Sequence, residues 1–143
     1  MADIFSISAS GMEAQRLRMN IIASNLANVE TTRTSSGGGA YRRKDILFET
    51  DRSGSFAGYL NASEDKESAG VRVAGIIEDM RPLKYVHEPG HPDADTGGYV
   101  AYPNVSVVEE MVNMIAASRS YDANVSAFKA TRDMANKALE IGQ

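Results

Sequence analysis

The sequence predicts a mainly α-helical chain in which two long terminal helices flank a small β element. Apolar residues recur with alternating spacings of four and three near both ends, and the middle is rich in Gly, Ser and Asp with short strand-like runs. The 143 residues are 43% hydrophobic and 24% charged, with a net charge of −4. That size fits one compact domain, or a small domain with an extended part. The acidic balance disfavours a nucleic-acid-binding role, and the absence of cysteine excludes disulfide scaffolds, thiolate metal sites and cysteine nucleophiles.

The first helix is predicted over residues 4–29. Its apolar seam includes Phe5, Met12, Met19 and Leu26, seven residues apart, with Ala9, Arg16 and Ala23 between them. This spacing is typical of a helix that packs along another helix. Thr31 and Thr32, followed by glycines, end the pattern.

The middle of the chain contains four strand-like runs separated by turn-forming residues. The longest is 71–77, and the shorter ones are 46–48, 83–86 and 99–102. The segment 35–39, Ser-Ser-Gly-Gly-Gly, is the clearest flexible stretch. These features predict a small β region between the helices.

The last helix is predicted over residues 105–141. Ser106 and Glu109 fit a capping box at its start, and Gly142 fits a stop at its end. Such a helix would be about 55 Å long and the first about 38 Å. The first helix therefore covers only part of the second, which leaves apolar surface for other chains. The seam follows the positions Val107, Met111, Met114, Ser118, Tyr121, Val125, Phe128, Arg132, Ala135 and Leu139.

Two polar clusters offer possible chemistry. His87, Glu88, His91, Asp93 and Asp95 are residue types that bind metals, but the intervening prolines and glycine prevent a helical two-His site and favour a hydrogen-bonded turn. The basic run 41–44 favours either a solvated turn or a contact with an acidic neighbour. Nucleophile-elbow and phosphate-loop patterns are absent from the sequence. The sequence thus predicts no catalytic, cofactor-binding or metal-binding residues and no enzyme activity.

One set of residues near each end forms a recognisable pattern: Ser24, Asn25, Leu26, Asn28, Thr31 and Thr32 near the N-terminus, and Asn104, Glu109 and Glu110 near the C-terminus. These residues resemble the signatures of the bacterial flagellar rod and hook proteins. The short middle region, and Arg33 directly after the two threonines, are similar to the proximal rod members of that family. Residues 50–70 match no pattern in it.

The resemblance implies a structural role in the basal body. In the family, the terminal helices pair as one coiled-coil-like inner domain, here residues 1–30 with 104–143, and residues 31–103 form the outer middle region. Family members leave the cell's interior through the flagellar type III apparatus without a cleaved signal and stack into a hollow shaft across the periplasm. The N-terminal residues here lack a cleaved-signal pattern, and no apolar run reaches membrane-spanning length.

The expected partners are therefore other copies of the chain, proximal and distal rod subunits, the rod–MS-ring junction protein and the export machinery, without nucleic acid or membrane insertion. Two alternatives remain: a cytosolic coiled-coil adaptor or export chaperone, and a small metal-dependent enzyme using His91, Asp93 and Asp95. The assembly interface is predicted along the helical seams, at Phe5, Met12, Met19, Leu26, Val107, Met111, Met114, Tyr121, Val125, Phe128 and Leu139.

Overall fold

The computed structural model describes residues 2–35, 39–51 and 70–141. This part of the chain is mainly helical with a small β element, as the sequence predicts. Neither of its helices combines the length and the apolar character needed to cross a bilayer. In chain order the elements are α1 (Ala2–Ala27), β1 (Lys44–Asp51), β2 (Gly70–Glu78), β3 (Lys84–His87), β4 (Tyr99–Tyr102) and α2 (Val107–Ile141).

The two helices pack antiparallel. The rings of Phe5 and Phe128 meet edge to face with centroids 5.0 Å apart, whereas Asn25, near the other end of α1, contacts Glu110 in the first turn of α2. With 26 and 35 residues, the helices are about 39 and 52 Å long. The last half-buried side chain described on α2 is that of Ala135, and residues 136–140 are all exposed. The second helix therefore extends beyond the first.

Both inner helix ends differ slightly from the sequence prediction. α1 ends at Ala27 because Asn28 closes its last turn, donating from both its amide and its Nδ2 to the carbonyl of Ser24, at 3.1 and 2.9 Å. α2 starts at Val107, where the amide of Glu110 donates to the Ser106 carbonyl at 2.9 Å. Val105, included in the predicted helix, is instead buried in the segment before it.

The contacts between the helices include residues inside and outside the predicted apolar seams. Phe5 and Phe128 are seam residues that meet, whereas Gly11 lies against Asn124 and Asn25 contacts Glu110 outside the seams. Three seam positions of α1, Ala9, Arg16 and Ala23, are exposed. Small side chains allow the backbones to approach closely, which an apolar spacing pattern cannot detect. The buried residues are Ser8, Ala14, Ile22 and Asn25 on α1 and Glu110, Ala117 and Thr131 on α2.

The strands form two separate antiparallel pairs, β1 with β2 and β3 with β4. A bulge at Ala74 interrupts the first pair, since Leu47 lies opposite Gly75 and Phe48 opposite Val73. This hairpin lies along α1, where the amide of Val71 donates to the Ser10 hydroxyl at 3.1 Å. The first helix is therefore packed between the β1–β2 hairpin and α2. All four strand runs named from the sequence coincide with these strands within three residues.

Three sequence predictions fall wholly or partly outside the described residues. Positions 36–38 of the flexible stretch lie outside them, and so does most of the 50–70 segment, which the structure describes only at residues 50, 51 and 70. The stop at Gly142 also lies outside them. These three statements remain sequence predictions.

Gly11 lies where the helices approach each other, and it gives a direct test of this packing. A Cβ atom at this position would lie 2.9 Å from Nδ2 of Asn124. We expect Gly11→Leu to lower the free energy of unfolding by about 1–3 kcal/mol, because the larger side chain overpacks the interface. Urea denaturation, monitored by circular dichroism, measures this loss of stability.

The matched control is Ala9→Leu, on an exposed position of the same helix. This control should change the free energy of unfolding by less than about 0.5 kcal/mol. Equal losses in the two variants would show that Gly11 does not lie at a close helix contact.

Candidate functional site

A buried network of polar side chains joins the end of α1 to the start of α2. It consists of Asn25, Arg43, Asn104 and Glu110, which we call the polar junction. Each of the four is less than 9% exposed, and Asn25 and Glu110 are completely buried. Because buried polar groups are costly without hydrogen-bond partners, these residues can be buried here only as a connected set.

Asn25 uses its full hydrogen-bonding capacity. Its Nδ2 donates to the Lys44 carbonyl at 2.8 Å and to Oε2 of Glu110 at 3.0 Å. Its Oδ1 accepts from the Lys44 amide at 2.9 Å and from the Tyr41 hydroxyl at 3.0 Å. One side chain of α1 thus holds both the beginning of β1 and the first turn of α2.

Glu110 and Arg43 form the ionic part of the junction. Nε of Arg43 donates to Oε1 of Glu110 at 2.7 Å, and its Nη1 donates to Asp45 at 3.0 Å and lies 3.7 Å from Asp79. Burial alone would lower the pKa of Arg43, but the hydrogen bonds and charges of Glu110 and Asp45 outweigh it and raise that pKa. The guanidinium therefore stays charged within a ring of carboxylates.

Asn104, just before α2, connects the junction to both hairpins. Its Oδ1 accepts from the Arg43 amide at 2.8 Å. Its Nδ2 donates to the carbonyls of Asp79 and Arg81 at 3.0 and 3.1 Å. The segment between β2 and β3 is therefore fixed against the start of the second helix.

A second cluster continues from the end of α1 to the loop between β3 and β4. The Thr31 hydroxyl donates to Oδ1 of Asn28 at 3.1 Å. The Thr32 hydroxyl donates to Asp93 at 2.8 Å, and Arg33 forms an ion pair with the same carboxylate. The threonines of the N-terminal signature thus connect α1 to a loop about 60 residues further along the chain.

Three aspartates have lowered pKa values. For Asp45, burial alone would raise the pKa, but hydrogen bonds from the Ile46 amide and Arg43 outweigh it. For Asp79 the main cause is the hydrogen bond from Arg81, and for Asp93 it is the hydrogen bond from Thr32. These carboxylates stabilise the fold in their charged form.

The polar residues 87–95 build the turn between β3 and β4. Oδ1 of Asp95 accepts from the amides of Gly97 and Tyr99, and Nδ1 of His91 accepts from the Asp93 amide. Gly98 adopts a φ of +78°, which side-chain-bearing residues rarely adopt, and a Cβ there would also crowd His87 and Pro89. Within the described part of the chain, no group of three or more His, Asp or Glu residues is placed to hold a metal.

Comparisons with known proteins find family matches at both ends of the chain. Residues 5–33 match the family described as "Flagella basal body rod protein", and residues 96–141 match "Flagellar basal body rod FlgEFG protein C-terminal". The flagellar basal-body rod protein FlgC of Salmonella typhimurium is 43% identical over all of this chain and 98% of its own length. This chain belongs to the FlgC family of flagellar basal-body rod proteins.

Two further FlgC relatives have a similar sequence identity to this chain. FlgC of Bacillus subtilis and FlgC of Borreliella burgdorferi are each 42% identical, over 96% of this chain and 95% of their own lengths. The two matched ranges contain Asn25, Asn104 and Glu110, whereas Arg43 lies between them. The polar junction of this FlgC-family chain therefore links both family signatures through a residue of the middle region.

The signature residues named from the sequence separate into distinct roles in this FlgC-family chain. Asn25, Asn104 and Glu110 meet in the polar junction, and the Ser24 hydroxyl lies 3.4 Å from the Tyr41 hydroxyl. Leu26 is half-buried. Glu109 does not join the junction, since it is exposed and its carboxylate lies 3.9 Å from Arg81.

The residues assigned from the sequence to an assembly interface also divide into two groups. Those half-buried within the chain are Phe5, Met12, Met19, Leu26, Met114, Tyr121, Val125 and Phe128. Val107, Met111 and Leu139 are exposed.

Sequence reasoning missed Tyr41 and Arg43 as junction residues. Of the two interpretations left open for the basic run 41–44, contact with acidic groups is correct for Arg43. A usable signal was the spacing of Glu110, Met114, Ala117 and Tyr121, which places Glu110 on the helix face that contacts α1. A carboxylate on such a face requires a buried cation.

Removing Glu110 should destabilise the fold strongly. We expect Glu110→Ala to lower the free energy of unfolding by about 3 kcal/mol, because it removes a partner of a buried ion pair and a hydrogen bond of Asn25. Glu109→Ala is the matched control one residue away. Because the Glu109 side chain is exposed, its removal should change the free energy of unfolding only slightly. Equal losses in urea denaturation would contradict the junction's role.

The lowered aspartate pKa values make stability dependent on pH. Groups whose folded pKa lies below the ordinary value of 3.8 stabilise the fold above that pH. Their contribution is lost as the pH falls through the lowered folded values. We expect Asp79→Asn, which removes one such carboxylate, to make the loss of stability between neutral and acidic pH smaller than in the parent protein. Unfolding curves at several pH values measure this loss of stability. An unchanged pH dependence in Asp79→Asn would contradict a lowered pKa for Asp79.

Proposed function

We propose that this chain is a non-enzymatic structural subunit of the proximal rod of the flagellar basal body. Its terminal helices would polymerise into the hollow shaft that transmits torque from the motor to the hook and filament. Membership of the FlgC family supports this role, as do the long antiparallel helices. Residues 1–30 and 104–143 would form one helical inner domain, with residues 31–103 as the outer middle region.

The observation that carries the proposal is an apolar face on α2 that nothing in the described part of the chain covers. Val108, Met111, Val112 and Ile115 are 54–73% exposed. Their spacing places them on one side of the helix, which we call the back face. Glu110, Met114 and Ala117, which are buried or half-buried, lie on the opposite side towards α1.

The back face changes character along α2. Beyond residue 118 it continues through Arg119, Asp122, Ser126 and Asp133, all exposed and polar. The apolar section is thus limited to the first turns of the helix. A contiguous exposed apolar patch of this kind marks a surface for other proteins.

A shaft that transmits torque needs large apolar contacts between aligned subunits. Burying about 1,000 Å² of apolar surface per subunit would contribute on the order of 25 kcal/mol before ordering costs. The exposed residues Val107, Met111 and Leu139 fit an interface between subunits. The half-buried seam residues would contribute by holding α1 and α2 together.

The proposed location and partners follow from the same role. The chain would lie in the rod across the periplasm and contact other copies of itself, proximal and distal rod subunits and the rod–MS-ring junction protein. It would reach that place through the flagellar type III export machinery without a cleaved signal. The curated relatives do not favour a cytosolic adaptor or export chaperone, because they are named as rod proteins.

Charge on the apolar section of the back face should prevent rod formation. We expect Ile115→Glu to remove the chain from purified basal bodies while leaving its export unchanged, because a carboxylate in an apolar interface loses its water without gaining a partner. Immunoblots of basal bodies and of export fractions give the two readouts. Ile115 is a sharper site than Met114 or Tyr121, whose half-buried side chains also pack within the chain.

The matched control is Ser126→Glu, on the polar section of the same face. This variant should still enter basal bodies. Normal incorporation of Ile115→Glu would contradict the proposed interface, and recovery of the parent protein only from the cytosol would contradict the rod assignment.

A further inference from the structure

A cavity of about 500 Å³ lies beside the C-terminal end of α1, between the loop after α1 and the start of β1. Among the described residues, its lining carries three cations, Arg33, Arg42 and Lys44, and one carboxylate, Glu78. Asn28 and Thr31 add polar groups to the wall. The cavity is thus positively charged in a chain whose net charge is −4.

Two of the three cations have no ionic partner among the described residues. Arg33 pairs with Asp93, but no carboxylate of the described chain lies within ion-pair distance of Arg42 or Lys44. Nζ of Lys44 lies 5.7 Å from the centre of the Tyr41 ring. Nη1 of Arg42 is buried and has no hydrogen-bond partner in the part of the chain that the structure describes.

This arrangement differs from that of three other arginines of the middle region. Arg43, Arg72 and Arg81 each have a carboxylate within 3.0 Å. A guanidinium that has lost part of its hydration gains most from a planar carboxylate, which it can bind through two parallel hydrogen bonds. Arg42 and Lys44, which have no carboxylate partner within the described ranges, therefore offer the charge and the hydrogen-bond donors that an acidic side chain can use.

We propose that this cavity binds an aspartate or glutamate side chain of a neighbouring rod subunit. The argument is charge complementarity, because two unpaired cations converge on one cavity beside the last turn of α1. This inference rests on the proposed function, since only an assembled rod supplies the neighbour. It adds a polar contact at a different place from the apolar back face of α2.

Carbodiimide cross-linking of assembled basal bodies tests the inference directly. The reagent joins a lysine amine to a carboxylate that touches it, so Arg42→Lys places a reactive amine in the cavity next to the native Lys44. We expect mass spectrometry to find residue 42 or 44 joined to an Asp or Glu of another subunit. A link only to Glu78 of the same chain, or no link at all from these two positions, would overturn the inference.

A charge reversal provides the second measurement. We expect Arg42→Glu to reduce incorporation into basal bodies about tenfold at unchanged export, the change that roughly 1.4 kcal/mol produces in an equilibrium constant. The control is Arg72→Glu, whose exposed side chain pairs with Glu49 within the β1–β2 hairpin and which should be incorporated normally. Normal incorporation of Arg42→Glu would overturn the inference.

The two proposals fail in different ways. If the parent protein is absent from basal bodies, the rod assignment itself is wrong. If the parent is present and Arg42→Glu is incorporated as well as Arg72→Glu, the rod assignment holds and only the carboxylate-binding cavity is disproved.

Discussion

The fold depends on one completely buried carboxylate. Glu110 lies between Arg43 and Asn25, and it can be buried only while both donate to it. These two residues belong to different parts of the chain, the middle region and the end of α1. Their convergence sets which end of α1 meets the start of α2 and where β1 begins. The junction therefore defines the relative placement of three segments with a few directional bonds.

This constraint explains how a small chain holds long helices without a large apolar core. Beside the aromatic pair Phe5–Phe128, the contacts between α1 and α2 include small and polar residues, with Gly11 against Asn124 and Asn25 against Glu110. Such residues give close approach but little burial of apolar surface, so directional hydrogen bonds at one end supply the specificity. Apolar side chains such as Val108 and Val112 remain outside on the back face of α2. They are available for contacts with other subunits.

Much of the secondary structure could be predicted from the sequence, because amphipathic spacing and turn residues are local signals. The strand Tyr99–Tyr102 agrees with its sequence-based bounds, and both helices agree within two residues at their described ends. The helix contacts could be predicted only in part, since Phe5 and Phe128 belong to the predicted seams while Gly11 and Glu110 do not. Arg43 could not be placed either, because nothing in the run 41–44 distinguishes the arginine that pairs with a buried carboxylate from the basic residues beside it. Its partner Glu110 is 67 residues away, and only the fold brings the two together.

A double-mutant cycle between Arg43 and Glu110 tests the central claim most directly. The single substitutions Arg43→Met and Glu110→Leu each leave part of a buried polar network without its partner, whereas the double variant removes both charges. The account predicts that the double variant loses much less stability than the sum of the single losses, with a coupling energy above about 1 kcal/mol. Additive losses would show that the two side chains act independently, and they would contradict the claim that this buried pair organises the fold.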